Sequence, residues 1–134
     1  MEYKVKEVVK VIEDFAPLSL QEGWDNSGLC IGSPDSPVSS VLFGLDCTPE
    51  LVDEAVACGA DMIVTHHPLI FSGLKKISPD NPVGEAVIKA IRAGISIYAA
   101  HTSADKVIAG VSGAMAARLG LVNVSILDED GDGT

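Results

Sequence analysis

The first forty residues combine one helical pattern with one long polar segment. Near the N-terminus, apolar residues recur at intervals of three and four with charged residues between them: Val5, Val8, Val9, Ile12 and Phe15. This spacing predicts an amphipathic helix that packs on a sheet and that Pro17 helps to end. Residues 19–38 are rich in Gly, Ser, Pro and Asp, which predicts a long ordered loop with one short strand around Leu29–Ile31.

From residue 40 onward, short apolar runs alternate with amphipathic segments. The runs predict buried strands, and the amphipathic segments predict helices that begin at Thr-Pro or Asn-Pro pairs and end at glycine. The predicted elements are strand Val41–Leu45, helix Leu51–Cys58, strand Met62–Val64, a helix between Asn81 and Gly94, strand Ile95–Ala99, helix Val111–Leu119 and strand Val122–Leu127. This alternation favours a single α/β domain over residues 1–134, with a mainly parallel sheet and helices on both faces.

All three histidines of the chain follow predicted strands. His66 and His67 come shortly after the predicted strand Met62–Val64. His101 comes shortly after the predicted strand Ile95–Ala99, and Asp105 lies four residues further on. Because the carboxyl ends of parallel strands meet at the same edge of a sheet, we expect these side chains to lie close together. The sequence therefore predicts a metal or acid–base site at this edge.

Imidazole and carboxylate together select the kind of metal. Neutral imidazole with carboxylate suits divalent zinc, iron, manganese, nickel or cobalt, whereas calcium and magnesium prefer oxygen ligands alone. Adjacent residues of a strand point to opposite faces, so His66 and His67 share one site only if the chain leaves the extended conformation there, or each serves a different metal. Pro68 favours such a departure from the sheet.

Three other segments have more than one interpretation. Asp46 follows the strand Val41–Leu45 and either belongs to the same site or helps to cap the following helix. The segment Trp24–Gly28 has the composition of a tight turn around one aromatic ring. The acidic segment Asp128–Gly133 imitates the opening of a calcium loop, but the bidentate glutamate of such a loop does not follow, so we interpret the match as incidental.

The bulk composition excludes several classes of function. A net charge of −10 argues against direct binding of nucleic acid, which requires clustered Lys and Arg. The three cysteines form no C-x-x-C pair, so we expect a reducing, cytoplasmic location rather than a disulfide framework or a zinc knuckle. The N-terminus does not resemble a signal peptide, and no apolar run approaches the ~18 residues of a membrane span. A P-loop motif is also absent from the sequence.

Three segments together carry a family resemblance: Trp24–Leu29, Ala60–Phe71 and Tyr98–Asp105. In this order they resemble the signature segments of the Nif-three-like family, also called the GTP cyclohydrolase I type 2 homolog family. The run from His66 to Phe71, which reads His-His-Pro-Leu-Ile-Phe, is the most specific of them. The resemblance spans nearly the whole chain.

The resemblance implies a site with two metal ions, for which His66, His67 and Asp105 supply part of the coordination. It places His101 beside the metals, in an outer-sphere or acid–base role, and it makes Trp24–Gly28 a wall of the site. The implied function is that of a metal-dependent hydrolase acting on a small nucleotide-like or heterocyclic substrate, within a homo-oligomer. The alternative is a non-catalytic metal-binding module with a regulatory or assembly role.

The chain departs from the family pattern in two respects. Ser103 and Ala104 stand where the family usually has Asn-Leu, which leaves Asp105 in place but changes its surroundings. Family members also continue for another hundred or so residues, and a later histidine and glutamate complete their metal set. We therefore expect this chain to correspond to the N-terminal half of such a protein and to bind less metal, or to bind it more weakly.

Overall fold

A computed structural model describes residues 3–126 of the chain. The helices and strands, numbered in chain order, are β1 (Tyr3–Lys4), α1 (Val5–Phe15), β2 (Gly28–Ile31), β3 (Pro37–Val38), β4 (Val41–Gly44), α2 (Pro49–Cys58), β5 (Met62–Thr65), α3 (Pro82–Ala93), β6 (Ser96–Ala99), α4 (Thr102–Asp105) and α5 (Val111–Arg118). A single 3₁₀ turn, Leu18–Leu20, lies between α1 and β2.

The main sheet has four strands in the order β2-β6-β5-β4. Strands β4, β5 and β6 are parallel, but β2 pairs with β6 in the antiparallel direction, with Gly28 opposite Ala99. The sheet is therefore mixed, and the prediction of a mainly parallel sheet was wrong. The reason lies before β2, because the 3₁₀ turn packs against α4 at the carboxyl edge of the sheet and β2 must run back from that edge.

Helices cover both faces of the sheet, as the continuous apolar strands predict. On one face, Ile63 of β5 and Ile97 of β6 pack against apolar side chains of α2 and α3. On the other face, the neighbouring residues Met62 and Tyr98 pack against Val5 and the rest of the apolar side of α1. The alternation of side chains along each strand thus divides the core into two layers.

The predicted helix ends are confirmed at α2 and α3. The Thr48 side chain accepts a hydrogen bond of 3.2 Å from the N–H of Leu51, and Pro49 begins α2. Asn81 caps α3 in the same way. Gly59 and Gly94 end the two helices in the left-handed conformation, with φ of 72° and 70°.

Some elements differ from the sequence prediction. The two short strands β1 and β3 form an antiparallel pair that the pattern did not indicate. The short helix α4 lies within a predicted loop. Residues 122–126 form no strand, and the last residue of the predicted strand, Leu127, lies outside the described residues, as does the acidic segment Asp128–Gly133. Within the described part of the chain, no helix has the length and apolar character to cross a bilayer.

Candidate metal centre

The parallel pairing of β5 and β6 brings the predicted site residues together. Thr65 and Ala99 are paired at the ends of these strands, so the residues that follow them begin at the same height. The chain bends at His66 and His67 instead of continuing extended, which satisfies the condition under which both can face one site. The N–H of His67 still donates to the carbonyl of Leu45, at 3.0 Å, which ties this bend to the segment after β4.

The three histidines form one group, which we call the imidazole cluster: His66, His67 and His101. The ring of His66 lies 5.0 Å from that of His67 and 5.1 Å from that of His101, and the remaining pair is 5.5 Å apart, measured between ring centres. One potential ligand atom from each residue lies within 4.8 Å of the other two. Within residues 3–126 this is the sole group of at least three such side chains with that spacing.

The hydrogen bond of His66 fixes which ring nitrogen is free. Its Nδ1 lies 2.9 Å from the carbonyl oxygen of Ala100, and a carbonyl oxygen only accepts hydrogen bonds. Nδ1 therefore carries the proton in the neutral ring, and Nε2 presents a lone pair. A metal-binding histidine typically has this arrangement, with its second nitrogen donating to a carbonyl or carboxylate.

Carboxylates orient the other two rings in the same sense. Nδ1 of His67 lies 2.6 Å from Oδ1 of Asp46, and Nδ1 of His101 lies 2.9 Å from Oδ1 of Asp25. Ionised carboxylates are acceptors only, so both rings donate from Nδ1 and leave Nε2 unprotonated when neutral. All three rings of the imidazole cluster thus offer the same nitrogen for coordination.

Asp105 lies beside the cluster on α4. Its Oδ1 is 3.5 Å from Nε2 of His66, and its side chain is 41% exposed. The carboxylate is therefore close enough to share an ion with His66 after a small adjustment of side-chain torsions. Its assignment as a metal ligand stays a prediction, as do those of His66 and His67.

Asp25 is the most thoroughly hydrogen-bonded carboxylate of the site. Its side chain has no exposed surface. It accepts hydrogen bonds from Nδ1 of His101, from the backbone and hydroxyl of Thr102, from the hydroxyl of Ser27 and from the backbone of Asn26. Burial opposes its ionisation, but these hydrogen bonds together outweigh burial and hold the pKa of Asp25 well below its ordinary value.

The structure resolves the two interpretations of Asp46. The N-terminus of α2 is capped by Thr48, whereas the carboxylate of Asp46 accepts a hydrogen bond from His67. Asp46 therefore belongs to the site edge rather than to the helix cap. Sequence reasoning missed the contacts of Asp25 with His101 altogether. The one feature of the sequence that could have indicated this role of Asp25 is its position next to the chain's only tryptophan, in a segment that otherwise has the composition of a turn.

The fold and the site together define a class of protein: α/β domains that present an imidazole-rich candidate metal site at the carboxyl edge of a mixed sheet. The family model described as Duf34/NIF3 (NGG1p interacting factor 3) matches residues 3–134, and the chain belongs to this family. The resemblance to Nif-three-like proteins is thereby confirmed.

Relatives with names or solved structures agree with this membership. The GTP cyclohydrolase 1 type 2 homolog of Clostridium acetobutylicum is 42% identical over 127 residues, which are 95% of this chain and 47% of the relative. Staphylococcus aureus protein SA1388 has a TM-score of 0.91 at 38% identity, covering 96% of this chain and 36% of that one. Reduced HcgD from Methanocaldococcus jannaschii has a TM-score of 0.87 at 28% identity, covering 96% and 52%. The chain thus spans about half the length of these relatives, or less.

Proposed function

We propose that this chain is a metal-binding domain of a dinuclear-metal-dependent hydrolase that acts on a small nucleotide-like or heterocyclic substrate. The observation that carries the proposal is the grouping of three imidazole rings, each of which has an oxygen acceptor at Nδ1 and therefore a free Nε2 when neutral. Nitrogens presented in this way are ligands for zinc, iron, manganese or nickel. The name GTP cyclohydrolase 1 type 2 homolog, given to a relative, supports a nucleotide-like substrate.

The described side chains divide into ligands and a proton carrier. His66 and His67 would hold a metal through Nε2, and Asp105 would add a carboxylate. Bound divalent ions would supply a water of lowered pKa and polarise the bond to be hydrolysed. Asp25 accepts the Nδ1–H of His101, which leaves Nε2 of the neutral ring free, and this nitrogen would accept and return one proton.

The second ion, the small-molecule substrate and a homo-oligomeric state are carried over from the family resemblance. They are proposals because the chain spans 47% of the Clostridium acetobutylicum relative. We also propose a cytoplasmic location. The sequence supports a reducing compartment, because its three cysteines form no C-x-x-C pair and indicate no disulfide framework.

A second candidate function is a metal-binding module without turnover, with a regulatory or assembly role. The donor count favours it, because the imidazole cluster is the one group within residues 3–126 with the spacing of metal ligands, and Asp105 lies 3.5 Å from one member of it, His66. Hydrolysis by a two-metal mechanism requires a second ion and therefore further donors. The two candidates differ in turnover and agree on metal binding.

Metal titration tests the site that both candidates share. Metal-stripped protein is titrated with zinc, manganese and nickel, in parallel with His66→Ala, Asp105→Ala and the matched control Asp14→Ala. Asp14 is a suitable control because it is an exposed carboxylate of α1 that pairs with Lys10. We expect a loss of affinity of about 10- to 100-fold or more in the two site variants and none in the control. Equal metal affinity in the unmodified chain and all three variants would contradict the proposed metal site.

His101→Ala separates the two possible roles of that residue. If His101 carries a proton, the variant keeps its metal affinity and loses turnover against a panel of nucleotides and cyclic amides. If it is instead the third imidazole ligand, metal affinity falls as it does for His66→Ala. Absence of turnover by the metal-loaded unmodified chain would favour the module without catalysis.

A further inference from the structure

Two aromatic side chains stand beside the imidazole cluster with much of their surface exposed. Trp24 is 61% exposed and Phe71 is 53% exposed. Their ring centres are 6.0 Å apart, and they lie 6.2 Å and 6.4 Å from the ring of His101. Large aromatic rings usually contribute to a core, so this exposure next to a candidate reaction centre requires an explanation.

The backbone next to each ring is fixed by specific hydrogen bonds. Asp25 follows Trp24, and its buried side chain accepts hydrogen bonds from His101 and Thr102. The side-chain amide of Asn26 donates to the carbonyl of Ile70, the residue before Phe71. The two loops are therefore tied to each other and to the imidazole cluster, and the exposed rings have defined positions relative to it.

We propose that Trp24 and Phe71 form a stacking surface for a planar heterocycle whose polar edge faces the imidazole cluster. The planes of the two rings are inclined by 52°, so a flat ligand cannot lie between them as in a sandwich. It would stack on the face of one ring and contact the other by an edge. This inference rests on the proposed function and adds the residues that recognise the ring of the substrate.

The charge at the cluster indicates which part of a nucleotide this surface accepts. Three carboxylates contact the imidazole cluster, namely the buried one of Asp25 and the exposed ones of Asp46 and Asp105, and the chain carries a net charge of −10. Without metal, such an edge repels phosphate, whereas aromatic faces bind every nucleobase by stacking. An uncharged nucleoside is therefore the appropriate probe for the metal-free protein.

Intrinsic fluorescence provides a direct measurement, because Trp24 is the only tryptophan of the chain. Metal-stripped protein is titrated with guanosine, with ribose as the ligand control and with correction for guanosine absorbance. We expect saturable quenching by guanosine and none by ribose. Phe71→Leu should weaken binding by about tenfold. Trp24→Leu lacks the fluorophore, so its guanosine binding is measured by calorimetry, and we expect it to be weakened at least as much.

Phe43→Leu is the matched control for Phe71→Leu. Phe43 is also an exposed phenylalanine, but it lies on β4. We expect its variant to bind guanosine like the unmodified chain. Circular dichroism and zinc titration of all variants check that the fold and the imidazole cluster are intact.

Three results would overturn the stacking surface. The first is no quenching by guanosine, and the second is equal affinity in Phe71→Leu and the unmodified chain. The third is a blue shift of Trp24 emission that grows with protein concentration alone, which would show that a second copy covers the rings. If the chain binds zinc but not guanosine, only the stacking surface is contradicted. If it binds guanosine but not zinc, only the proposed metal site is contradicted.

Discussion

At the scale of single residues, the imidazole cluster depends on which nitrogen of each ring carries the proton. His66 donates from Nδ1 to a backbone carbonyl, and His67 and His101 donate from Nδ1 to carboxylates. We expect long-range ¹H–¹⁵N spectra of metal-free protein, at a pH where the rings are neutral, to show the Nε2-unprotonated tautomer for all three. Assignment is tractable because the chain has three histidines. A protonated Nε2 on any ring would contradict the ligand geometry at that residue.

Asp25 makes a second prediction at this scale. A carboxyl group whose pKa is lowered by folding adds stability above its ordinary pKa, here 3.8, and that stability is lost as the pH falls towards the lowered value. Asp25→Asn should lower the free energy of unfolding at pH 7 by about 3 kcal/mol, since buried hydrogen bonds to a charge are lost. The difference in the free energy of unfolding between Asp25→Asn and the unmodified chain should become smaller below pH 3.8.

Urea unfolding at pH 7 and pH 3 measures this difference. Asp14→Asn serves as its control, because Asp14 is exposed on α1 and should show neither effect. If the free energy of unfolding of Asp25→Asn is lower than that of the unmodified chain by the same amount at both pH values, the ionisation of Asp25 does not stabilise the fold.

The site was predictable from sequence to the extent that strand order along the chain controls it. His66, His67 and His101 each follow a strand, and the parallel pairing of β5 with β6 is enough to bring them together. The contact of Asp25 with His101 joins residues far apart in sequence. It depends on where the loop before β2 crosses the sheet edge, which no local pattern specifies.

At the scale of secondary structure elements, the apolar pattern predicted the existence of elements better than their direction. A strand as short as β2 reads the same in either direction, and its antiparallel pairing follows from where the preceding loop enters the sheet. Cap chemistry at Thr48 and Asn81 is local, and for this reason the beginnings of α2 and α3 were predictable. The short helix α4 has too few residues to show a periodic pattern.

The N-terminal turn of α3 provides a prediction in which helix propensity gives the wrong sign. Gly84 is buried, and a Cβ atom at this position would meet the backbone carbonyl of Ser78. Propensity alone favours alanine in a helix by about 1 kcal/mol. Because the obstacle is backbone, we expect Gly84→Ala instead to reduce the free energy of unfolding by about 1–3 kcal/mol.

Denaturant unfolding of Gly84→Ala, compared with Gly23→Ala, measures this effect. Gly23 has open space around its Cβ position and should tolerate alanine. The comparison also concerns the site, because Ser78 belongs to the segment between β5 and α3, which begins at His66 and contains Phe71. Equal stability of the two variants would show that this segment does not pack closely on α3.

At the scale of the whole molecule, the number of bound metal ions tests how much of a two-metal site this chain holds. Within residues 3–126, the imidazole cluster is the one group with the required spacing, and Asp105 lies next to it. As ligands, side chains of this set would fill the coordination of one zinc ion, and the described residues provide no second group of three donors with that spacing. We therefore expect one tightly held zinc per chain after gel filtration, measured by elemental analysis.

The same ion should raise the stability of the folded chain, because it binds the folded state in preference to the unfolded one. Zinc at one hundred times its dissociation constant adds about 2.7 kcal/mol, which thermal unfolding detects as a higher midpoint. The His66→Ala, His67→Ala double variant should show no shift, whereas Asp14→Ala should shift like the unmodified chain. Two retained ions per chain would mean that further donors complete a second metal site on this chain or on a second copy, with Asp46 the first to test. No retained ion would mean that the three imidazoles lie together without forming a metal site.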